Sequence, residues 1–219
     1  SALGGITDQL LLTGDKAAAG DEGYKELLGS IEQRHLETAR QLLPVTNQSA
    51  SLSKVKQYCN EMEDLCEGIF RLQELSERTK DKLVSYGEVL SSQLLEAYLQ
   101  SQGAKAGWLD SRLYIKTDSR YGNATVAAQE THVLIAKAVK EIAADIYVAP
   151  GFIASNAQGF TTTLGRGGSD YTAAIYAAAL QAHRLDTQPP ATVELGIARG
   201  YRPGVIARVV QMHADYYAR

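Results

Sequence analysis

The stretch that most constrains this chain is Thr161-Thr162-Thr163-Leu164-Gly165-Arg166-Gly167-Gly168-Ser169-Asp170. Three β-branched threonines suit a strand, and the glycine-dense segment after them reads as a sharp turn. The Ala-rich run from Tyr171 to Leu185 has the texture of a helix, with Ser169 or Asp170 as the expected N-cap. Glycines let a backbone come close to a ligand, and the N–H groups at a helix start favour an anion. Arg166 adds a rigid fork of donors suited to a carboxylate or phosphate. The segment reads either as an anion-binding corner or as a tight strand-to-helix turn in which Ser169 and Asp170 only cap. It is not a Walker A loop, because G-K-[ST] is missing. Nor is it a dinucleotide fingerprint, because the third glycine of G-x-G-x-x-G falls at Asp170.

Upstream, apolar residues recur at helical spacing from Tyr24 to Leu43, and Pro44 ends that helix. A partner helix is expected from about Leu52, with Val55, Cys59, Met62, Cys66 and Ile69 as its core stripe. A third helix is expected from Val89 to Gln102, stopping at Gly103. After Gly103 the texture alternates. Trp108 to Asp110 and Leu113 to Ile115 suit strands, Ala127 to Ala143 a helix, and Asp145 to Phe152 a buried strand ending in a Pro-Gly turn. Ser155 to Gly159 suits a turn, and Phe160 to Leu164 is β-rich. Such alternation argues for an α/β fold with a parallel sheet. Residues 187–192 read as a linker, and residues 193–219 as a tail that holds a short strand-like segment and an amphipathic helix from Val205 to Arg219.

With 219 residues, 45% hydrophobic and 21% charged, the chain is neither disordered nor collagen-like. Lys plus Arg (22) nearly balance Asp plus Glu (25), which gives no electrostatic reason to expect nucleic acid or an anionic membrane as partner. A small molecule or a protein is the expected partner. No apolar run approaches the ~20 residues of a membrane span, and the start lacks a secretory pattern, so a cytoplasmic setting is expected. Cys59 and Cys66 lie two turns apart on one helix face, too far for a disulfide, and read as core thiols. His35, His132, His183 and His213 have no ligand spacing, and no metal-ligating residue is assigned. Because residue 1 is not Met, the chain reads as beginning inside a longer protein.

Two further motifs are weak singly. Ser1-Ala2-Leu3-Gly4-Gly5-Ile6-Thr7 is a second glycine turn leading into a helix, and Ser85-Tyr86-Gly87-Glu88 reads as placed before a helix, where Glu88 would bind an amino group or favour the helix dipole. Taken with Pro150-Gly151-Phe152-Ile153, the Thr161–Asp170 run and Tyr171-Thr172-Ala173-Ala174, they make residues 1 to about 186 resemble a known domain. It is the catalytic domain of aspartate kinases in the amino acid kinase family, especially the kinase half of bifunctional aspartokinase/homoserine dehydrogenases.

The resemblance implies a three-layer α/β/α sandwich with a mainly parallel sheet, here incomplete and with a helical subregion. It also implies transfer of the ATP γ-phosphoryl group to the side-chain carboxylate of L-aspartate, giving 4-phospho-L-aspartate, the first step of the aspartate-family amino acid pathway. On that resemblance Ser1, Thr7, Glu88, Arg166 and Ser169 hold the substrate, with Glu88 on its α-ammonium group. Arg166 and Asp170 are the catalytic positions, and Gly4, Gly5, Gly167 and Gly168 line the nucleotide phosphates. ATP and Mg2+ are the implied cofactors, and a homo-oligomer is the expected assembly.

The family's K-F-G-G strand and its W-T-D-V nucleotide loop have no match here, so the domain reads as truncated at both ends. An inactive remnant that binds aspartate or a protein partner is the alternative. Residues 198–219 faintly resemble the start of some GNAT-type acetyltransferases, which makes a chimera the third reading.

Overall fold

In a computed structural model, residues 1–186 and the two-residue strand Ala207–Arg208 are described. Four helices come first: α1 (Ile6–Ala18), α2 (Tyr24–Leu42), α3 (Val45–Leu72) and α4 (Glu77–Ser101). An alternating region follows: β1 (Ala106–Trp108), α5 (Ser111–Tyr114), β2 (Lys116–Thr117), α6 (Ala128–Glu141), β3 (Ile146–Val148), β4 (Ile153–Asn156), β5 (Thr161–Thr163) and α7 (Gly168–Ala179). β6 (Leu185–Asp186) and β7 (Ala207–Arg208) complete the described elements.

The periodic stripes fold as their spacing requires. Val55, Cys59, Met62, Cys66 and Ile69 of α3 join Ile31 of α2, Ile6 and Leu10 of α1, and Leu83 and Leu90 of α4 in one apolar core. A second core joins Leu109, Ile115, Ala154 and Leu164 to Ile135 of α6 and Ile175 of α7. Between the two lie the strands. β1 pairs parallel with β3, β2 parallel with β4, and β4 antiparallel with β5, while α4 contacts β1, β3 and β5 from one side. The result is the α/β/α layering, with small, mainly parallel sheets and a large helical subregion.

Helix α4 differs most from its expected form. It begins at Glu77, not Val89, where Ser76 Oγ caps it by accepting from the Thr79 N–H at 3.2 Å. Every residue from Leu83 to Leu94 is buried. A helix enclosed all round lacks the amphipathic period that marks the others. Gly87 is the reason α1 can lie so close: a Cβ there would stand 3.1 Å from the Ala2 Cβ and 3.2 Å from Ile6 and Leu10 carbons.

Other corrections are local. Ser111–Tyr114 form a short helix capped by Asp110, so Leu113 to Ile115 are not a strand. β3 is shorter than expected and only its last residue is buried, because Ile146 is exposed. Ser155 and Asn156 close strand β4, and the turn runs from Asn156, whose carbonyl accepts from the Gly159 N–H at 2.9 Å. Helix α7 starts at Gly168 with Gly167 as N-cap, so neither Ser169 nor Asp170 caps it. In the tail, Ala207–Arg208 pair parallel with Leu185–Asp186, which replaces the helix expected at those two residues. The linker 187–192, the rest of the tail and the acetyltransferase likeness lie outside the described residues. Among the described residues, no helix is long and apolar enough to cross a membrane.

Three buried groups give checks on this core. Burial pushes the Cys59 and Cys66 thiols up to about 12, so neither should be alkylated by iodoacetamide at pH 8 until denaturant is added, as read by intact mass. His35 is buried; its Nδ1 lies 2.7 Å from the Ile31 carbonyl oxygen, and burial holds its pKa below the ordinary value. The folded chain therefore resists a proton that the unfolded chain accepts. Its contribution to stability should be complete above about pH 6.5 and be lost as the pH falls below that value. Urea titrations across this range should show the loss, and His35→Gln should flatten it.

Candidate functional site

The first glycine turn and the start of α7 meet. Ser1 Oγ donates to Ser169 Oγ at 3.2 Å, although 168 residues separate them. Both turns end in a left-handed glycine N-cap, Gly5 at φ 77° and Gly167 at φ 74°, and neither helix start receives a side-chain cap. The amides of Thr7 and Asp8 in α1, and of Ser169 and Asp170 in α7, cannot find partners within their own helices. A Cβ on Gly5 or Gly167 would meet nothing within 4 Å, so both turns present open backbone. Two helix starts of this kind suit an anion.

Glu88 sits under the first turn, mid-helix, which overturns its expected place at a helix start. Its carboxylate is 5% exposed; Oε1 accepts from the Ala2 N–H at 2.9 Å, and Oε2 lies 3.4 Å from the Ser1 nitrogen. Oε2 is buried without a hydrogen-bond partner among the described residues. A buried carboxylate is costly unless paired, and the group that stands at ion-pair distance from Oε2 is the Ser1 ammonium, which shows the kind of charge the position takes. Ser91 Oγ, one turn on, donates to the Ser1 carbonyl at 2.8 Å and fixes the chain there.

On the opposite side, Arg166 and Asp170 are exposed, and neither forms an ion pair among the described residues. Thr7 is half-buried in the first turn of α1, and no contact joins it to Ser169 or Glu88. Ser169 is backed by Gly151, where a Cβ would lie 3.1 Å from its Cα, Cβ and Oγ. Phe152 follows with φ 68°, rare outside glycine; its N–H donates to Thr172 Oγ1 at 2.9 Å, which locks the strand end to α7. The structure thus brings Ser1, Glu88 and Ser169 together around the two turns, with Gly4, Gly5, Gly167 and Gly168 forming their backbone. No group of three His, Cys, Asp or Glu side chains suited to a metal stands together among the described residues.

Two residues at this corner escaped the sequence reading. Arg34 of α2 brings Nη2 within 3.9 Å of where a Cβ on Gly4 would stand, so a second cation borders the first turn. Asp81 of α4 accepts from the Thr163 N–H and hydroxyl at 2.8 and 2.9 Å and from the Gly122 N–H at 2.9 Å. Neither lies in a motif; only the fold brings them near the glycines.

The amino acid kinase family profile matches residues 1–186. The chain is 30% identical over 188 residues to bifunctional aspartokinase/homoserine dehydrogenase 1, chloroplastic, of Arabidopsis thaliana, which covers 84% of this chain and 20% of that protein. It is 35% identical over 189 residues to aspartokinase 1, chloroplastic, of the same plant, covering 82% of this chain and 32% of that protein. The structure of Escherichia coli aspartokinase III in complex with aspartate and ADP superposes with a TM-score of 0.76 at 31% identity, covering 84% of this chain and 40% of that one. The chain thus spans a third or less of these two curated relatives.

The left-handed turn glycines differ in what surrounds them, which makes a test. Gly159 (φ 80°) has open space at its Cβ position, whereas a Cβ on Gly165 (φ 74°) would stand 2.6 Å from Asn123 Oδ1 and 3.3 Å from the Gly122 carbonyl oxygen. Gly159→Ala should cost about 1–2 kcal/mol from its backbone alone. Gly165→Ala should cost at least about 1 kcal/mol more, since overpacking adds to the same term. Urea denaturation of the two variants measures the difference.

Proposed function

Because the chain belongs to the amino acid kinase family, we propose that it carries the substrate corner of an aspartate kinase, the enzyme that phosphorylates the side-chain carboxylate of L-aspartate from MgATP. The observation that carries this reading is the buried Glu88 carboxylate, whose Oε2 accepts no hydrogen bond among the described residues and lies 3.4 Å from the Ser1 nitrogen, beneath two uncapped helix starts. An amino acid brings an ammonium group for the one and carboxylates for the others.

In this reading Glu88 takes the α-ammonium group, while Ser1, Thr7, Ser169 and the fork of Arg166 hold the carboxylates. Gly4, Gly5 and Gly167 keep the turns open, and Gly168, whose own N–H donates to the Gly165 carbonyl at 3.0 Å, starts the helix whose next N–H groups face the nucleotide phosphates. MgATP supplies the phosphoryl group, with Mg2+ carried on the phosphates. An aspartate carboxylate oxygen attacks the γ-phosphorus, the bond to the β,γ-bridging oxygen breaks, and ADP leaves. The nucleophile is already ionised at neutral pH, so no general base is needed. Catalysis then rests on alignment and on positive charge near the transferred group. Arg166 supplies such charge, and Asp170, one residue on from Ser169, lies beside the reacting centre. We further take the chain to be cytoplasmic and homo-oligomeric.

The decisive experiment is aspartate-dependent ADP release from MgATP by the chain, with hydroxylamine present to trap the acyl phosphate as a hydroxamate. Turnover should fall by about 10²–10³-fold in Arg166→Ala, the usual cost of losing one electrostatic stabiliser. Aspartate binding should be abolished in that variant, while its far-ultraviolet circular dichroism stays unchanged. Unaltered aspartate affinity would overturn the site. Aspartate binding without turnover would instead favour the reading of a binding remnant.

A further inference from the structure

Helix α4 carries a second buried carboxylate. Asp81 is 2% exposed and lies seven residues before Glu88, hence on the same face and about 10 Å away along the axis. We propose that Asp81 is a positioning residue: it sets the Gly165–Asp170 turn, and with it Arg166, at a fixed offset from Glu88.

Asp81 holds two separate segments to helix α4. Its carboxylate accepts from the Thr163 N–H at 2.8 Å and the Thr163 hydroxyl at 2.9 Å, two residues before Gly165. It also accepts from the Gly122 N–H at 2.9 and 3.1 Å. Gly122 and Asn123 form the tip of a hairpin whose arms are tied by Asp118 N–H to the Thr125 carbonyl at 3.0 Å and by Thr125 N–H to Asp118 Oδ1 at 3.0 Å. That tip stands directly against Gly165, and the Ala124 N–H donates to the Thr163 carbonyl at 2.8 Å. One carboxylate therefore ties the strand feeding the turn, and the hairpin bracing it, to the helix that holds Glu88. Hydrogen bonds to an ionised acceptor are short and directional, which suits a spacer between two ends of one ligand.

The affinity part of this inference rests on the aspartate site proposed above, and the test separates the two. Asp81→Asn turns one acceptor into a donor facing N–H groups; Thr163→Val removes one donor, and Thr163→Ser keeps it. Calorimetric titration with L-aspartate and with succinate, which lacks the amino group, should show both ligands weakened by the same factor of about ten in Asp81→Asn and Thr163→Val. Thr163→Ser should bind like the parent, and Glu88→Gln should weaken aspartate alone. Hydrogen exchange of the same variants should quicken in residues 119–124 and 164–170 and stay unchanged in α1 and residues 88–94. A selective loss of aspartate over succinate in Asp81→Asn, or unchanged exchange in the turn, would overturn the proposal. If the parent binds neither ligand, the aspartate reading fails and exchange alone decides the role of Asp81.

Discussion

A buried carboxylate must collect donors or go uncharged, and helix α4 buries two of them, Asp81 and Glu88, on one face. Asp81 collects its donors from β5 and the 118–126 hairpin, Glu88 from the first glycine turn. Segments far apart in sequence are drawn to one rod because that rod has acceptors to fill. Glu88 differs from Asp81 in that one of its oxygens accepts no hydrogen bond among the described residues and faces the Ser1 nitrogen at 3.4 Å instead. The helix can be enclosed on all sides because Gly87 and Gly14 leave room at its contact with α1 for the side chains opposite them; a Cβ on Gly14 would meet Leu75 and Leu83 carbons at 3.0 Å.

Burial also shapes the electrostatics. For Asp81 it raises the carboxyl above its usual value, opposed by the bonds from Gly122 and Thr163. The glycine turns follow the opposite pattern: Arg166 and Asp170 stand in solvent, where isolated charge is inexpensive. The site is thus rigid and dry beneath, open and charged above.

Much of this was legible in the sequence and some was not. The α2–α3 pair could be read from its apolar period and Pro44, and the glycine turns from composition alone. Glu88 was recognised as part of a motif, yet its setting was misread, because a helix buried all round shows no period before Val89 and hides its start at Ser76. Ser169 and Asp170 looked like caps, but the left-handed Gly167 takes that position and leaves the hydroxyl free to meet Ser1. Asp81 gave no signal, since one acid in the polar stretch Glu77–Lys82 looks like solvated surface until the topology brings Thr163 to it. Its partner threonine was read as a strand former, when its hydroxyl is as important as its branched carbon.

The contact of α1 with α4 has a mechanical side. The Ile6 and Leu10 side chains of α1 seat against Gly87, and the Leu83 side chain of α4 against Gly14, so sliding one helix past the other would drive a packed side chain into its neighbour's backbone. The lower jaw of the site, built on α1 and α4, is therefore stiff. The upper jaw is held by the pairing of β5 with β4, by Asp81 and by the hairpin, with Arg166 and Gly167 at its exposed lip. Whatever compliance a ligand needs on its way in is left to that exposed lip, since the bonds of Asp81 and the pairing of β5 hold what lies behind it.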